Sequence, residues 1–320
     1  MTPTTATART ARRTQKAQKA PKAQKEQRPE KAREARKAPK RTRPGRYGPG
    51  LLVPAGLAAV LLLLAVAGPW LAPQDPAAGS LDDRLLGLWT PGHPLGTDTQ
   101  GRDMLSRLIV AVRPSLIGGL LPVAAAAVAG TLLGAVAGLA GRVTEQLLLR
   151  TLDVLYAFPG VLLAIAVASL LEPGLSTTVI SLSFVLTPAV ARVSFTEVRR
   201  IRTAEYLEAA LVSGAGRTAV VLRQVAPVVA PVVLVYCSSL VGLAIVYAAG
   251  LSFLGLGVAP PDPEWGAMLD ESRPALLTHP AVAVLPAVTI LAVSVVFNTL
   301  GDALRARTGD SRALRPEAVR

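Results

Sequence analysis

Asp98, Arg102 and Asp103, three charged residues within six positions, are the grouping in this chain that comes nearest to reaction chemistry. Two carboxylates with a guanidinium between them suit general acid–base work, provided a pocket sets a third group beside them. The neighbouring sequence supplies no third group. A turn fixed by Gly96 and Gly101 and braced by local Asp–Arg contacts is therefore the expected reading. A second acidic pair, Glu205 and Glu208, leads into the small residues Ala209, Ala210, Gly214 and Ala215. Acidic side chains suit a helix N-terminus. Ala209 and Ala210 would keep one face slim and Gly214 would end the helix, so a short segment built to fit closely against another protein is predicted. His93 and His279 are solitary, and the single Cys237 rules out a disulfide framework or a thiolate metal cluster within one chain. No metal, cofactor or catalytic residues are expected. The Gly-x-x-x-x-Gly-Lys-Ser/Thr loop, the His-Glu-x-x-His pair and the Gly-x-Ser-x-Gly elbow are all missing, which argues against an ATPase or an intramembrane hydrolase.

The elements that must position these residues are membrane spans. The chain is 51% hydrophobic and only 17% charged, with mean hydropathy +0.44, an apolar fraction unusual for a soluble domain of this length. Its net charge of +13 resides wholly in residues 1–50, where 16 Lys and Arg face three Glu. That stretch has no apolar cluster to offset its ordering entropy, so residues 1–50 are expected to form a disordered basic cytoplasmic tail. With no aromatic residue before Tyr47 for stacking, nucleic acid is not an expected partner; anionic lipid is the more natural contact.

Charge-free windows at 51–74, 114–141, 154–171, 173–191, 224–261 and 274–301 can each hold one crossing of about 20 residues. The predicted fold class is all-α, a polytopic membrane protein with six transmembrane helices. The second half of the fifth window, rich in Gly and Pro from Gly250 to Pro261, is expected to leave the helix. Ala65-Val66-Ala67 resembles a signal-peptide cleavage site, but the long basic lead and the run through Pro69 and Trp70 favour a retained anchor. Arginines crowd the second and fourth loops and the C-terminus, which places both termini in the cytoplasm by the positive-inside rule. The predicted organisation is a tail (1–50), a first span (51–72), an extracytoplasmic loop (73–111), a five-helix core (112–307) with a cytoplasmic loop at about 196–227, and a C-terminal tail (308–320). Gly130, Gly134 and Gly138 form a ladder for close helix packing within the subunit.

Four stretches carry a family resemblance. Leu95-Gly96-Thr97-Asp98, continuing to Gly101-Arg102-Asp103, resembles the LGTDxxGRD signature of peptide-type ATP-binding-cassette importer permeases. Glu205 to Pro227 resembles the EAA loop of bacterial importer permeases. Ser252-Phe253-Leu254-Gly255-Leu256-Gly257, with Trp265 and Gly266 beyond, is similar to the segment before the last span of the same proteins. Phe297 to Asp302 resembles that span's cytoplasmic end. Gly216 and the Ala226-Pro227-Val228 run, where the family usually has Leu-Pro-Asn, depart from the pattern.

The nearest group is the "C" permease subunit of dipeptide, oligopeptide and nickel importers, a multi-pass protein of the cell membrane. The resemblance implies a coupling helix at Glu205–Ala215 docked on an ATPase subunit, with ATP hydrolysed by partner chains. It further implies a second homologous permease subunit, two cytoplasmic ATPase subunits and an extracytoplasmic substrate-binding protein. The Gly96–Asp103 stretch would brace the outer face. Ser252–Gly257 would cap the outer mouth of the pathway, with Trp265 as an interfacial anchor. Peptides are the expected substrate, with nickel or another small solute as the alternative. A membrane-anchored binding protein that uses the basic tail is a more remote reading.

Overall fold

A computed structural model describes residues 49–313 of the chain; the predicted N-terminal tail and the last residues of the predicted C-terminal tail lie outside them. Among the described residues the regular structure is helical, with three isolated bridges in place of any strand. The helices are α1 (Pro49–Leu71), α2 (Met104–Leu139), α3 (Arg142–Tyr156), α4 (Gly160–Ala168), α5 (Leu175–Ile201), α6 (Glu205–Val212), α7 (Arg217–Val220), α8 (Ala226–Phe253), α9 (Trp265–Glu271) and α10 (Ala281–Ala313). Five of them, α1, α2, α5, α8 and α10, are long and apolar enough to cross a bilayer.

The third predicted span, at 154–171, is not straight. The chain bends by 91° between α3 and α4, at the Ala157–Pro159 break. Pro159 has no N–H to continue the α3 ladder and disfavours a helical residue before it. With nine residues, α4 rises only about 13 Å, less than half of a hydrocarbon core. The window therefore makes one bent pair. The fifth window also differs from expectation: α8 stays helical through Gly250 and Ser252 and stops only at Phe253. Neighbouring helices can tolerate glycine there because the backbone remains bonded within the helix.

Small residues decide which helices meet. On α2, a Cβ at Gly130 would strike Val190, one at Gly134 would fall on the Ala191 carbonyl, and one at Gly138 would strike Val198, so the predicted ladder seats α5 against α2. Ser194 Oγ, on α5, donates to the Thr131 carbonyl across this contact at 3.1 Å. Between α8 and α10 the fit is reciprocal: Gly242 receives Asn298 and Gly301 receives Ser239. In lipid no hydrophobic force drives helices together, so close backbone approach and interhelical hydrogen bonds must do so. Side chains of α1 such as Leu63, Val66 and Trp70 remain exposed, as expected of a lipid-facing surface.

The bundle has two unlike ends. The loop end holds residues 72–103, the 169–174 turn and the 254–280 segment. The arginine end holds α3, α6, α7 and the last turns of α5, where Arg192, Arg199 and Arg200 ride on the helix rather than in the predicted loop. The α2 rod, about 54 Å long from its 36 residues, reaches from one end to the other.

Gly134→Leu is expected to cost about 1–3 kcal/mol by overpacking, lowering the Tm of the purified protein. Gly141→Ala, whose added Cβ meets nothing within 4 Å, should leave Tm unchanged.

Candidate functional site

At the arginine end, α6 spans Glu205–Val212 and begins at the acidic pair's first member, with Glu208 closing its first turn. Leu207 is buried and Ala210 packs behind it, which fixes one face against the core. Tyr206, Ala209, Val212 and Ser213 are exposed, and Val212 is 88% accessible. The helix ends as the glycine predicts. Gly214 takes φ +82°, a conformation that costs a side-chain-bearing residue energy but suits glycine. Ser213 N–H donates to the Ala209 carbonyl at 3.0 Å and Ala215 N–H to the Ala210 carbonyl at 3.1 Å, the six-to-one closure of a Schellman cap. Beyond α7 the backbone widens into a π turn at Val221–Val225, directly before Pro227. Exposed ion pairs join the neighbouring helices here, Arg199 to Glu145 at 3.2 Å and Arg192 to Asp153.

The loop end is built differently, around buried charge. Asp98 Oδ1 accepts from the N–H groups of Gln100 (2.8 Å) and Arg102 (3.0 Å). Its Oδ2 accepts from Arg102 Nε at 2.6 Å and Arg107 Nη1 at 2.7 Å. Both guanidinium groups then reach Glu271 Oε2 at the end of α9, at 2.5 and 2.8 Å. Arg107 is only 1% exposed. The four side chains form a neutral quartet, two cations with two anions, in which each buried charge finds an opposite partner. Burial pushes the Glu271 carboxyl above its usual range, against the opposing pull of Arg102.

Asp103 does separate work. It caps α2, its Oδ2 accepting from Ser106 N–H at 2.8 Å, while Oδ1 lies 3.0 Å from His93 Nδ1. The predicted glycines are required: Gly96 and Gly101 sit at φ +75° and +76°, and a Cβ on either would collide with the carbonyls of Leu86 or Ser80. Leu95 packs against the core and the Thr97 hydroxyl bonds to the Asp83 carbonyl. The two carboxylates thus face different partners and form no joint acid–base pair.

Trp265 corrects an expectation. It is 0% exposed rather than interfacial, and its indole N–H donates to the Leu108 carbonyl on α2 at 3.2 Å. A buried indole usually has such a partner for its N–H. Glu264 caps α9 through the Gly266 and Ala267 N–H groups, both at 3.0 Å, and accepts from Ser115 Oγ at 2.9 Å. Gly266 is pressed so tightly on Ala249 that a Cβ would meet its carbonyl. Ser252 and Phe253 lie in the last turn of α8. Leu254–Gly257 follow as a tight turn with Gly255 at φ +76° and a six-to-one bond from Leu256 N–H to the Leu251 carbonyl at 2.9 Å. Arg107, Glu264 and Glu271 were not foreseen: a position 164 residues away leaves no trace in local spacing.

Residues 130–310 match the family described as binding-protein-dependent transport system inner membrane component. The glutathione transport system permease protein GsiD of Pectobacterium atrosepticum is 39% identical over 255 residues, covering 79% of this chain and 84% of that protein. The same-named protein of Shigella dysenteriae serotype 1 is 39% identical over 246 residues, and that of Escherichia coli O6:K15:H31 38%; each alignment covers 77% of this chain and 81% of the relative. The chain belongs to this family.

It is thus a permease subunit of an ATP-binding-cassette importer, a multi-pass protein of the cytoplasmic membrane and not an enzyme. As a component of a binding-protein-dependent system, this permease works with a partner ATPase and a binding protein. The permease's loop end should be sensitive to a single neutralisation. Asp98→Asn leaves two buried guanidinium groups to share the single Glu271 carboxylate, one charge uncompensated, and is expected to cost roughly 3–5 kcal/mol, read by thermal or denaturant unfolding. Arg84→Ala, on an exposed side chain of the same loop, should stay within about 0.5 kcal/mol of wild type.

Proposed function

We propose that this permease forms one half of a peptide translocation pathway, with α6 as the coupling helix that an ATPase subunit grips. The observation that carries this reading is the exposed face of α6, where Ala209 lies between Tyr206 and Val212 beside a glycine-capped end. A face that narrow admits a protein groove close to its backbone. Glu205, Glu208, Ala210, Gly214 and Ala215 shape the same helix and its cap. The arginine end then faces the cytoplasm together with both termini, by the charge rule. The loop end faces outward, where a substrate-binding protein docks.

Nucleotide-driven closure of two ATPase subunits would move α6, and through it the spans, against a second homologous permease subunit. The pathway would open alternately to each side. Residues 95–103 brace the outer face, and the Ser252–Gly257 turn closes the outer mouth above it, with Trp265 and Gly266 locked behind. Peptide cargo is supported by the relatives, which are named for glutathione transport; glutathione is itself a tripeptide. Nickel or another small solute uses the same machinery in the alternative reading. The basic tail takes no part in docking or in the pathway in this reading, so deletion of residues 2–45 should preserve uptake and assembly, with at most altered insertion efficiency.

Ala209→Arg should abolish co-purification with the ATPase subunit and reduce uptake to background, while leaving the purified subunit's Tm unchanged because the side chain is exposed. Retained ATPase association in that variant would defeat the docking assignment. Ser213→Cys, made with Cys237→Ser, should react with a membrane-impermeant maleimide in inverted vesicles and not in intact cells; the reverse pattern would overturn the orientation.

A further inference from the structure

A cavity of about 580 Å³ opens at the loop end, between the end of α1, the third turn of α2, the 173–175 turn and the 258–263 segment. This volume falls inside the range of small-ligand sites, about 300–1,000 Å³. Its walls include four prolines, Pro69, Pro114, Pro173 and Pro263. Proline has no N–H, so these walls offer few backbone donors and are stiff. The charged lining consists of Arg113, from α2, and Asp262, from the segment leading to α9.

Arg113 differs from the other arginines of this end. Arg102 and Arg107 are committed to the buried quartet, Arg84 donates to the Thr99 carbonyl, and Arg273 pairs with Asp270 and lies 4.0 Å over the Phe253 ring. Neither Arg113 nor Asp262 has an ion-pair or hydrogen-bond partner among the described residues, although both border one cavity. Two unlike charges on different segments, over walls where four prolines withhold N–H donors, match a ligand that carries an anion at one end and a cation at the other.

We propose that this cavity receives a peptide by its termini, Arg113 taking the carboxylate and Asp262 the ammonium group, as cargo enters the permease. The inference rests on the peptide-import reading above and adds a residue-level selection for free termini. A guanidinium binds a carboxylate through paired N–H donors, and the Asp262 carboxylate accepts from an ammonium in the same way. A zwitterionic phospholipid headgroup presents the same two charges. Trp70, 80% exposed beside Pro69, is a side chain of the type enriched at membrane interfaces, where such a headgroup lies. The two sources must be separated by experiment.

The test uses the complete transporter in liposomes with its binding protein, given dialanine, dialanine amide or N-acetyl-dialanine. The binding protein's own preference is common to every variant, so ratios between variants isolate the cavity. Arg113→Ala is expected to lose about tenfold in dialanine uptake and nothing on the amide. Asp262→Ala should lose about tenfold on dialanine and nothing on the N-acetyl peptide, as loss of one charged hydrogen-bond pair implies. Binding-protein-stimulated ATP hydrolysis should persist in both. Equal losses on all three peptides, or none on any, would overturn the proposal. So would phosphatidylethanolamine bound to the purified wild type and absent from Arg113→Ala, with terminus selection unaltered. A wild-type transporter that accumulates none of the three peptides would instead sink the peptide-import reading, and the inference with it.

Discussion

Four charges that can be buried only together hold the loop end of this permease in place. Removing an ion from water costs several kcal/mol even in a relaxed protein site. Asp98, Arg102, Arg107 and Glu271 meet that cost by mutual pairing, with Asp98 using both oxygens twice. The residues come from a glycine-shaped loop, the first turn of α2 and the end of α9. Their pairing ties α9 to a loop and an adjoining helix start more than 160 positions earlier in the chain. The Trp265 bond to α2, the Glu264 cap of α9 and the position of the 258–263 cavity wall all presuppose that docking.

The arginine end follows the opposite principle. Its ion pairs, Arg199 with Glu145 and Arg192 with Asp153, are exposed and contribute little. One buried leucine, Leu207, and a glycine cap hold α6, leaving a surface that another protein can cover. A rigid end and an adaptable end are joined by α2, whose glycines clamp it to α5 along its second half. Displacement at one end of such a rod must be felt at the other, because close-packed helices do not deform continuously.

Much of this was legible in residue order. The apolar windows give the five long helices, since crossing lipid imposes a length that a hydropathy count reads directly. Gly214 reads as a helix stop and Gly96 and Gly101 as turn formers because their left-handed conformations belong mainly to glycine. The α3–α4 bend escaped the count of windows: composition measures apolar length, whereas Pro159 redirects the backbone without altering it. Trp265 was misread as interfacial because an aromatic beside polar residues looks alike in sequence whether it meets water or the Leu108 carbonyl.

The amino-acid order alone determined the class of protein, its family motifs and the local caps. These depend on neighbours within a turn or two, or on the average character of a segment. The tertiary structure decided which charges are neutralised and which stand open. Asp98 and Asp103 look like a pair five positions apart, yet one joins a quartet completed from α9 and the other caps α2. Arg107 and Arg113 both sit near the start of α2, yet one is sealed by Glu271 and the other borders a cavity. Burial and pairing are set by what folds against a residue, and that partner can lie more than a hundred positions away.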